Sequence, residues 1–500
     1  MGLSSKPHLL IYSAIGLICI IVFNFAATNM AALYILGDLG GSFDTASYSL
    51  AYFGFGNCVA VPLGKLMGFK YGRKKILTIC LVCFCVITLL VGLSPTYPVF
   101  ICMRFLQGVC SGPLLVLVTS LINKLVTPTE RGKYIRLMSV VMVVVPVLAA
   151  STGGTLAYLY DWRWSFYAFT FIIFGVAGSL LYQLRAIQYP PEEVIFDIWG
   201  YLYFFVGVLS LASYITLGQQ LDYLRSPLLR ILLPVGIVSM SAFVIHSWNH
   251  PSPIISFRLL KNPSLSMGLL VIAILFGSYF GIIFLISQWL HLYVNYTPWW
   301  IMVVLGIMTV TALGLMLIVK CLSWHTRLFF LLVGIAFLAI SCFYSATFNV
   351  EVNFARVAIS RVFGGIGLAL FLPPLLLLIL GLCSEEEGID GLTLFQCTRT
   401  LASGLGAPFF TTIWFRREAF YHTRLGSQLT LFSQQTAAFF SKLHPWHVQP
   451  ATANAELNVA LDKQAHSLAL NDTFYLMGWI FVFTILLILT FRLFVKPKRA

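Results

Sequence analysis

Charge is what this sequence has least of. Only 10% of its 500 residues are Asp, Glu, Lys or Arg, and 17 acids face 31 Lys and Arg. A soluble globular chain carries about 25% charged residues, so this one cannot clothe a water-facing surface. Carboxylates are missing from the middle of every apolar run: each Asp and Glu falls in a loop or within a turn or so of a run's end, with Asp38 and Asp197 coming nearest. No GxxxxGK[ST] loop occurs, which leaves direct coupling to ATP without a binding element. No disulfide framework is present either. Ten of the eleven cysteines (Cys19, Cys58, Cys80, Cys83, Cys85, Cys102, Cys110, Cys321, Cys342, Cys397) lie inside apolar runs and Cys383 borders one, so they read as small buried hydrophobes. The net charge of +14 excludes little by itself. A nucleic-acid reading needs basic residues gathered on a soluble face, and here their placement argues for membrane orientation instead.

What the chain does have is apolar length: 59% hydrophobic residues, 15% of all residues aromatic. A span needs about 20 apolar residues. Runs of that kind fall at 10–36, 45–68, 76–95, 97–122, 134–158, 163–185, 197–217, 227–247, 264–294, 299–320, 326–346, 353–382, 391–415 and 473–495, fourteen in all. The first run is followed by no small-residue cleavage pattern and is read as a retained span. An all-α polytopic membrane protein follows. Lys6, the cluster Lys70–Lys75, Lys124, Arg131, Lys133, Arg136, Arg185, Arg258, Lys261, Lys320, Arg327 and the C-terminal Arg492–Arg499 group fall on one face, against Arg163, Arg225, Arg230 and Arg356 on the other. That bias places both termini in the cytoplasm. One connection, 417–472, is long, polar and outward-facing, and its "LTLFSQQTAAFFSKL" alternates at helical spacing, as an amphipathic helix at a membrane surface or a partner would. His444 and His447 within "HPWH" fit a turn at an interface better than a metal site.

Against this background "ICMRFLQGVCSGP" at 101–113 stands out, because a charge at the centre of a span costs about 2.5–3.5 kcal/mol on insertion scales. Gln107 lies three residues from Arg104 on nearly the same helix face, and Gly108 and Gly112 let another helix approach closely. This motif resembles the fourth-helix motif of the major facilitator superfamily. "KLMGFKYGRKK" resembles that superfamily's loop between helices two and three, with Gly72 and Arg73 in place, Phe69 where the motif has an aspartate and Lys65 where it has a glycine. "PVLAASTGG" keeps Pro146, Gly153 and Gly154 of the antiporter signature, with Ala149 and Ala150 replacing its central Gly-Pro. "DWRWSFY", "FDIWGYL", "SFRLLKNPSL", "RVFGGIGLALFLPP" with Arg361 and "GLTLFQCTRTLASGLGAP" with Arg399 follow in the order of the fourteen-span drug:proton antiporter family, the EmrB/QacA type.

The resemblance implies a six-helix bundle over 1–187, two linker helices over 188–250 and a second six-helix bundle over 251–500. Between the bundles, near the midplane, would lie a substrate site opened alternately to each side. It implies a transporter of small molecules, with no enzymatic role and no cofactor, driven by protons, and a periplasmic adaptor as partner where the envelope has two membranes. The sequence departs from the family in its first helix: Asn29 matches the family's asparagine, but Asn24 stands where the family has an aspartate, and an amide carries no proton. His291, near the outer end of its span, is the alternative titrating group. Arg104, Arg361 and Arg399, with no acid at comparable depth, point to anionic or neutral substrates. Tyr52, Asn57 and Tyr279 lie on aromatic, glycine-containing stretches that suit bulky apolar ligands. The function expected is proton-driven efflux of hydrophobic drugs or small molecules from a bacterial inner membrane. An uptake carrier or exchanger, a dedicated siderophore or metabolite exporter, and a non-transporting scaffold remain the competing readings.

Overall fold

A computed structural model describes residues 7–126, 130–186, 196–318, 324–380, 388–430, 433–443 and 449–494. Its helices are α1 (Pro7–Ala26), α2 (Thr28–Leu39), α3 (Tyr48–Tyr71), α4 (Arg73–Gly92), α5 (Tyr97–Leu125), α6 (Arg131–Leu159), α7 (Trp164–Gln183), α8 (Ile198–Leu221), α9 (Pro227–Asn249), α10 (Pro263–Leu292), α11 (Pro298–Ile318), α12 (Trp324–Ser345), α13 (Phe354–Leu380), α14 (Gly388–Gly426), α15 (Gln434–Leu443) and α16 (Pro450–Phe494). Local chemistry sets several starts. Asp197 and Asn262 accept hydrogen bonds from the free N–H groups of Gly200 (2.9 Å) and Ser264 (3.1 Å) at the first turns of α8 and α10. Pro227 and Pro263 open α9 and α10, where a missing N–H costs nothing. Gly72 alone separates α3 from α4 with a φ of 91°, a conformation that a side chain would strain.

Thirteen helices among the described residues are long and apolar enough to cross a membrane. The fourteenth expected span, 391–415, lies in α14, which is not among them, and the reason is its setting. Its polar residues Gln396, Arg399, Thr400 and Ser403 are buried where α14 packs on α3 and α10, away from lipid. Two expectations need correcting. The run 10–36 is not one helix: the hydrogen-bond ladder is interrupted at Ala27, between α1 and α2. Segment 417–472 is not mainly a loop, since α14 runs on to Gly426 and α16 begins at Pro450. At 1.5 Å per residue the 39 residues of α14 reach about 58 Å and the 45 of α16 about 68 Å, roughly twice a hydrocarbon core. The amphipathic stretch forms α15, which rests on α16. His444 and His447 lie outside the described residues.

Helices α1 to α7 pack mainly on one another, α10 to α16 do likewise, and the two groups meet where α3 crosses α14, α6 crosses α11 and α2 approaches α10. The α8–α9 pair stands beside them, with α8 touching both α3 and α14. In lipid the association of helices rests on close packing rather than on the hydrophobic effect. Such packing joins α3 to α5: a Cβ on Gly108 would overlap the Phe53 carbonyl, and one on Gly112 the Asn57 carbonyl. Replacing Gly108 with Leu is therefore expected to push α3 away from α5 and to abolish a monodisperse detergent-solubilised protein, measured by fluorescence-detected size exclusion. Leu106→Ala, at an exposed position two residues away on the opposite face of the helix, should leave the profile unchanged.

Candidate functional site

The interruption at Ala27 frees carbonyls that an intact helix would use, and Arg104 of α5 takes them. Its Nη1 donates to Asn24 O (3.0 Å) and Gln107 Oε1 (2.5 Å), its Nη2 to Phe25 O (3.2 Å) and its Nε to Ser49 Oγ (3.0 Å). The Phe53 ring lies 4.7 Å from the guanidinium carbon. Gln107 Nε2 donates in turn to Thr88 Oγ1 (2.9 Å) and Asn24 Oδ1 (3.3 Å), and Asn24 Nδ2 to Ile20 O (3.0 Å). Ser49 Oγ donates to Thr28 Oγ1 (2.9 Å), so the network closes on the second helix fragment. Gly153 of α6 leaves room for the Ala27 carbonyl, and Gly154 faces Met30. Arg104 is 0% exposed, and every partner in this network is neutral.

A cavity lies between the two groups of helices. Ile21, Val22, Phe25, Phe53, Leu115, Met142, Phe276 and Phe280 make its walls apolar, with Asn57, Pro146, Arg399, Thr400 and Ser403 among the remaining lining. Asn57 Nδ2 is held by Ser111 Oγ (2.7 Å) while its Oδ1 has no partner. Arg399 Nε and Nη2 both donate to Gln396 Oε1 (3.0 and 2.9 Å), and the Phe276 ring lies 5.9 Å away.

The other expected residues lie elsewhere. Arg361 lines a separate cavity inside the second group; Nη2 donates to Ser345 Oγ (2.7 Å) and Ser360 Oγ (3.0 Å), and Nε and Nη1 have no partner. Tyr279 lines that cavity too and donates across the groups to Val143 O (2.9 Å). Tyr52 turns instead towards Ala212 of α8. His291 bridges the ends of α2 and α10, with Nε2 3.3 Å from Tyr34 Oη and Nδ1 3.0 Å from Tyr296 O. Asn29 offers its backbone oxygen to Gln288 Nε2 (2.8 Å), and its buried side-chain amide has no partner. Arg73 stacks on Phe69, its guanidinium carbon 4.7 Å from the ring that stands in the family aspartate's place. Of the two acids nearest to spans, Asp38 pairs with Arg163 (2.7 Å) and Asp197 caps α8. Outside the spans, burial pushes the Glu418 carboxyl above its ordinary value, against the opposing influence of His422.

One pair was not foreseen as a unit. Lys65, near the end of α3, forms an ion pair with Asp390 at the start of α14 and so ties the two groups together at the end opposite His291. The only sequence signal was Lys65 at a motif glycine; its partner lies 325 residues away.

The Major Facilitator Superfamily model matches residues 14–407. The chain belongs to that superfamily. It is 26% identical to the multidrug export protein EmrB of Escherichia coli K12 over 479 residues, covering 95% of this chain and 93% of that protein. It is also 26% identical to the fatty acid resistance protein FarB of Neisseria gonorrhoeae over 428 residues, 84% of each. Among solved structures, the POT family transporter PepTSo superposes with a TM-score of 0.60 at 12% identity, covering 98% of this chain and 100% of that one, which bears on the fold alone. The chain is thus a multi-pass membrane transporter of EmrB type.

Two tests follow from this geometry. Arg104→Ala leaves two carbonyls, Gln107 and Ser49 without their donor, at about 1–3 kcal/mol for each buried group left unsatisfied. Arg104→Lys, with three donors on a compact head and no planar fork, should recover less than half of that loss. Thermal melts of the detergent-solubilised variants measure both. For Lys65 and Asp390, the reversed pair Lys65→Asp with Asp390→Lys should regain the stability each single change loses, with a coupling of about 0.5–1 kcal/mol in a double-mutant cycle.

Proposed function

We propose that this transporter exports hydrophobic anions, monocarboxylate amphiphiles above all, from the cytoplasm of a bacterium across its inner membrane by alternating access of the central cavity. In this reading residues 1–187 and 251–500 are the two moving bundles and 188–250 the linker pair. The supporting observation is that Arg399 is the one charged side chain among the residues lining the cavity, facing aromatic and aliphatic walls. A carboxylate head on an apolar tail matches that distribution, whereas a lipophilic cation would meet like charge with no acid to offset it. The name of the FarB relative, a fatty acid resistance protein, agrees in chemical class.

Export is powered in this reading by the proton gradient. With an amide at Asn24, the proton carrier is His291, set between Tyr34 and Tyr296 where α2 meets α10. The extensions of α14 and α16 beyond the bilayer, with α15 between them, offer a periplasmic adaptor its docking surface.

Inside-out vesicles given matched fluorescent lipophilic anion and cation probes test the proposal. The anion should accumulate only under an imposed pH gradient, and Arg399→Gln should cut that accumulation about tenfold or more while the protein level holds, a loss of at least roughly 1.4 kcal/mol. Cation accumulation undiminished in Arg399→Gln would overturn the charge argument.

A further inference from the structure

The α8–α9 pair carries a cluster that transport through the central cavity does not use. Asp197 at the start of α8 meets His246 and His250 from the end of α9, and one ligand atom from each lies within 4.8 Å of the others. Asp197 Oδ1 is 2.8 Å from His246 Nε2 and accepts from Gly200 N. The imidazoles of His246, in the last turn of α9, and of His250, the extended residue that caps it, have ring centroids separated by 5.1 Å. Asp197 is 4% exposed, and its second oxygen, Oδ2, is buried without a partner. A helix cap with one histidine neighbour explains Oδ1; it leaves Oδ2 and the approach of His250 unexplained.

We infer that Asp197, His246 and His250 form a site for a divalent transition metal of the zinc class. A carboxylate oxygen and two imidazole nitrogens are the donors that zinc takes at about 2.0–2.2 Å, with the fourth position left to water. Tetrahedral placement sets donor atoms roughly 3.3 Å apart at those bond lengths. The Asp197–His246 contact opens slightly to reach that spacing, and His250 closes inwards. The His250 ring is free to do so, because its one hydrogen bond is a 3.3 Å acceptance at Nδ1 from the exposed Ser252 N–H, which water can replace. The Gly200 N–H on Asp197 Oδ1 orients the carboxylate, as outer-shell donors do in metal sites.

The site has a mechanical consequence. At its other end α8 is bonded to both helix groups: Tyr48 of α3 donates to Gln220 Oε1 (3.1 Å), and Arg416 of α14 donates to Gln219 Oε1 (3.3 Å). A metal joining the start of α8 to the end of α9 fixes the pair as one strut beside the α3–α14 crossing.

The test uses the full chain purified in detergent on a tag without histidine, stripped with EDTA and titrated with Co²⁺, followed by zinc competition. The expected result is one Co²⁺ per chain with the intense visible absorption of a tetrahedral site, lost to zinc, and a zinc-dependent rise in melting temperature. His250→Ala and His246→Ala should each weaken binding at least about tenfold, and a His444→Ala/His447→Ala double variant should not. No saturable binding at micromolar metal, binding undiminished in either single variant, or binding lost only in the double variant would each overturn the assignment. His250→Ala removes no cap contact of Asp197, so a folded protein is expected for the decisive comparison.

Discussion

The hold of Arg104 on the interrupted first span is the constraint around which the first group of helices is built. A helix in lipid cannot leave carbonyls bare, since each would cost several kcal/mol without water. The break at Ala27 is therefore sustained only while Arg104 supplies donors to Asn24 and Phe25. That requirement fixes α5 against α1, and Ser49 draws α3 into the same cluster. Just beyond the break, the Asn29 carbonyl accepts from Gln288 of α10, a contact between the two groups.

The three arginines set in spans differ in how completely they are bonded, and this sorts their roles. Arg104 is surrounded by acceptors and wholly enclosed. Arg361 is enclosed but half-bonded, beside a cavity with no other charged lining. Arg399 leans on a single amide oxygen and borders the shared cavity. A buried guanidinium whose nitrogens all donate to protein acceptors is a structural element, because a ligand would have to displace protein bonds of equal strength. One held on one side only presents its remaining donors to whatever enters.

Much of this fold was legible in the sequence, because spans are read from apolar length and the ordered motifs are specific together. The break in 10–36 was hidden, since the run stays apolar across Ala27 and the acceptor need it creates is met from α5, 80 residues away for Asn24. The roles of the arginines were hidden for a related reason: all three sit in apolar helices, and whether such a charge faces a cavity depends on neighbours that no local pattern names. Asn57 and Pro146 line the cavity, while Tyr52 on the same helix as Asn57 faces α8. The ends of α14 and α16 were misread as loop because their polar composition, outside lipid, carries no hydropathy signal at all.

The cavity can open only by separating the groups at one end while they stay joined at the other, and the two ends are tied by different chemistry. At one end stand neutral contacts, Tyr34 with His291 and Gln288 with Asn29. At the other stands the Lys65–Asp390 ion pair, with both side chains partly reached by solvent. A partly exposed ion pair contributes about 0–1 kcal/mol, and a neutral hydrogen bond contributes about 0.5–1.5 kcal/mol net. By these figures the two neutral bonds together exceed the ion pair by only about 1–2 kcal/mol. A protein balanced in this way can be tipped by a single ligand, because a few kcal/mol of differential binding suffices to invert a two-state population. An anion at Arg399 would act from the middle, between both. In such an arrangement a substrate can shift the balance between the two ends with no carboxylate at position 24. That shift needs only that the two ties remain close in strength.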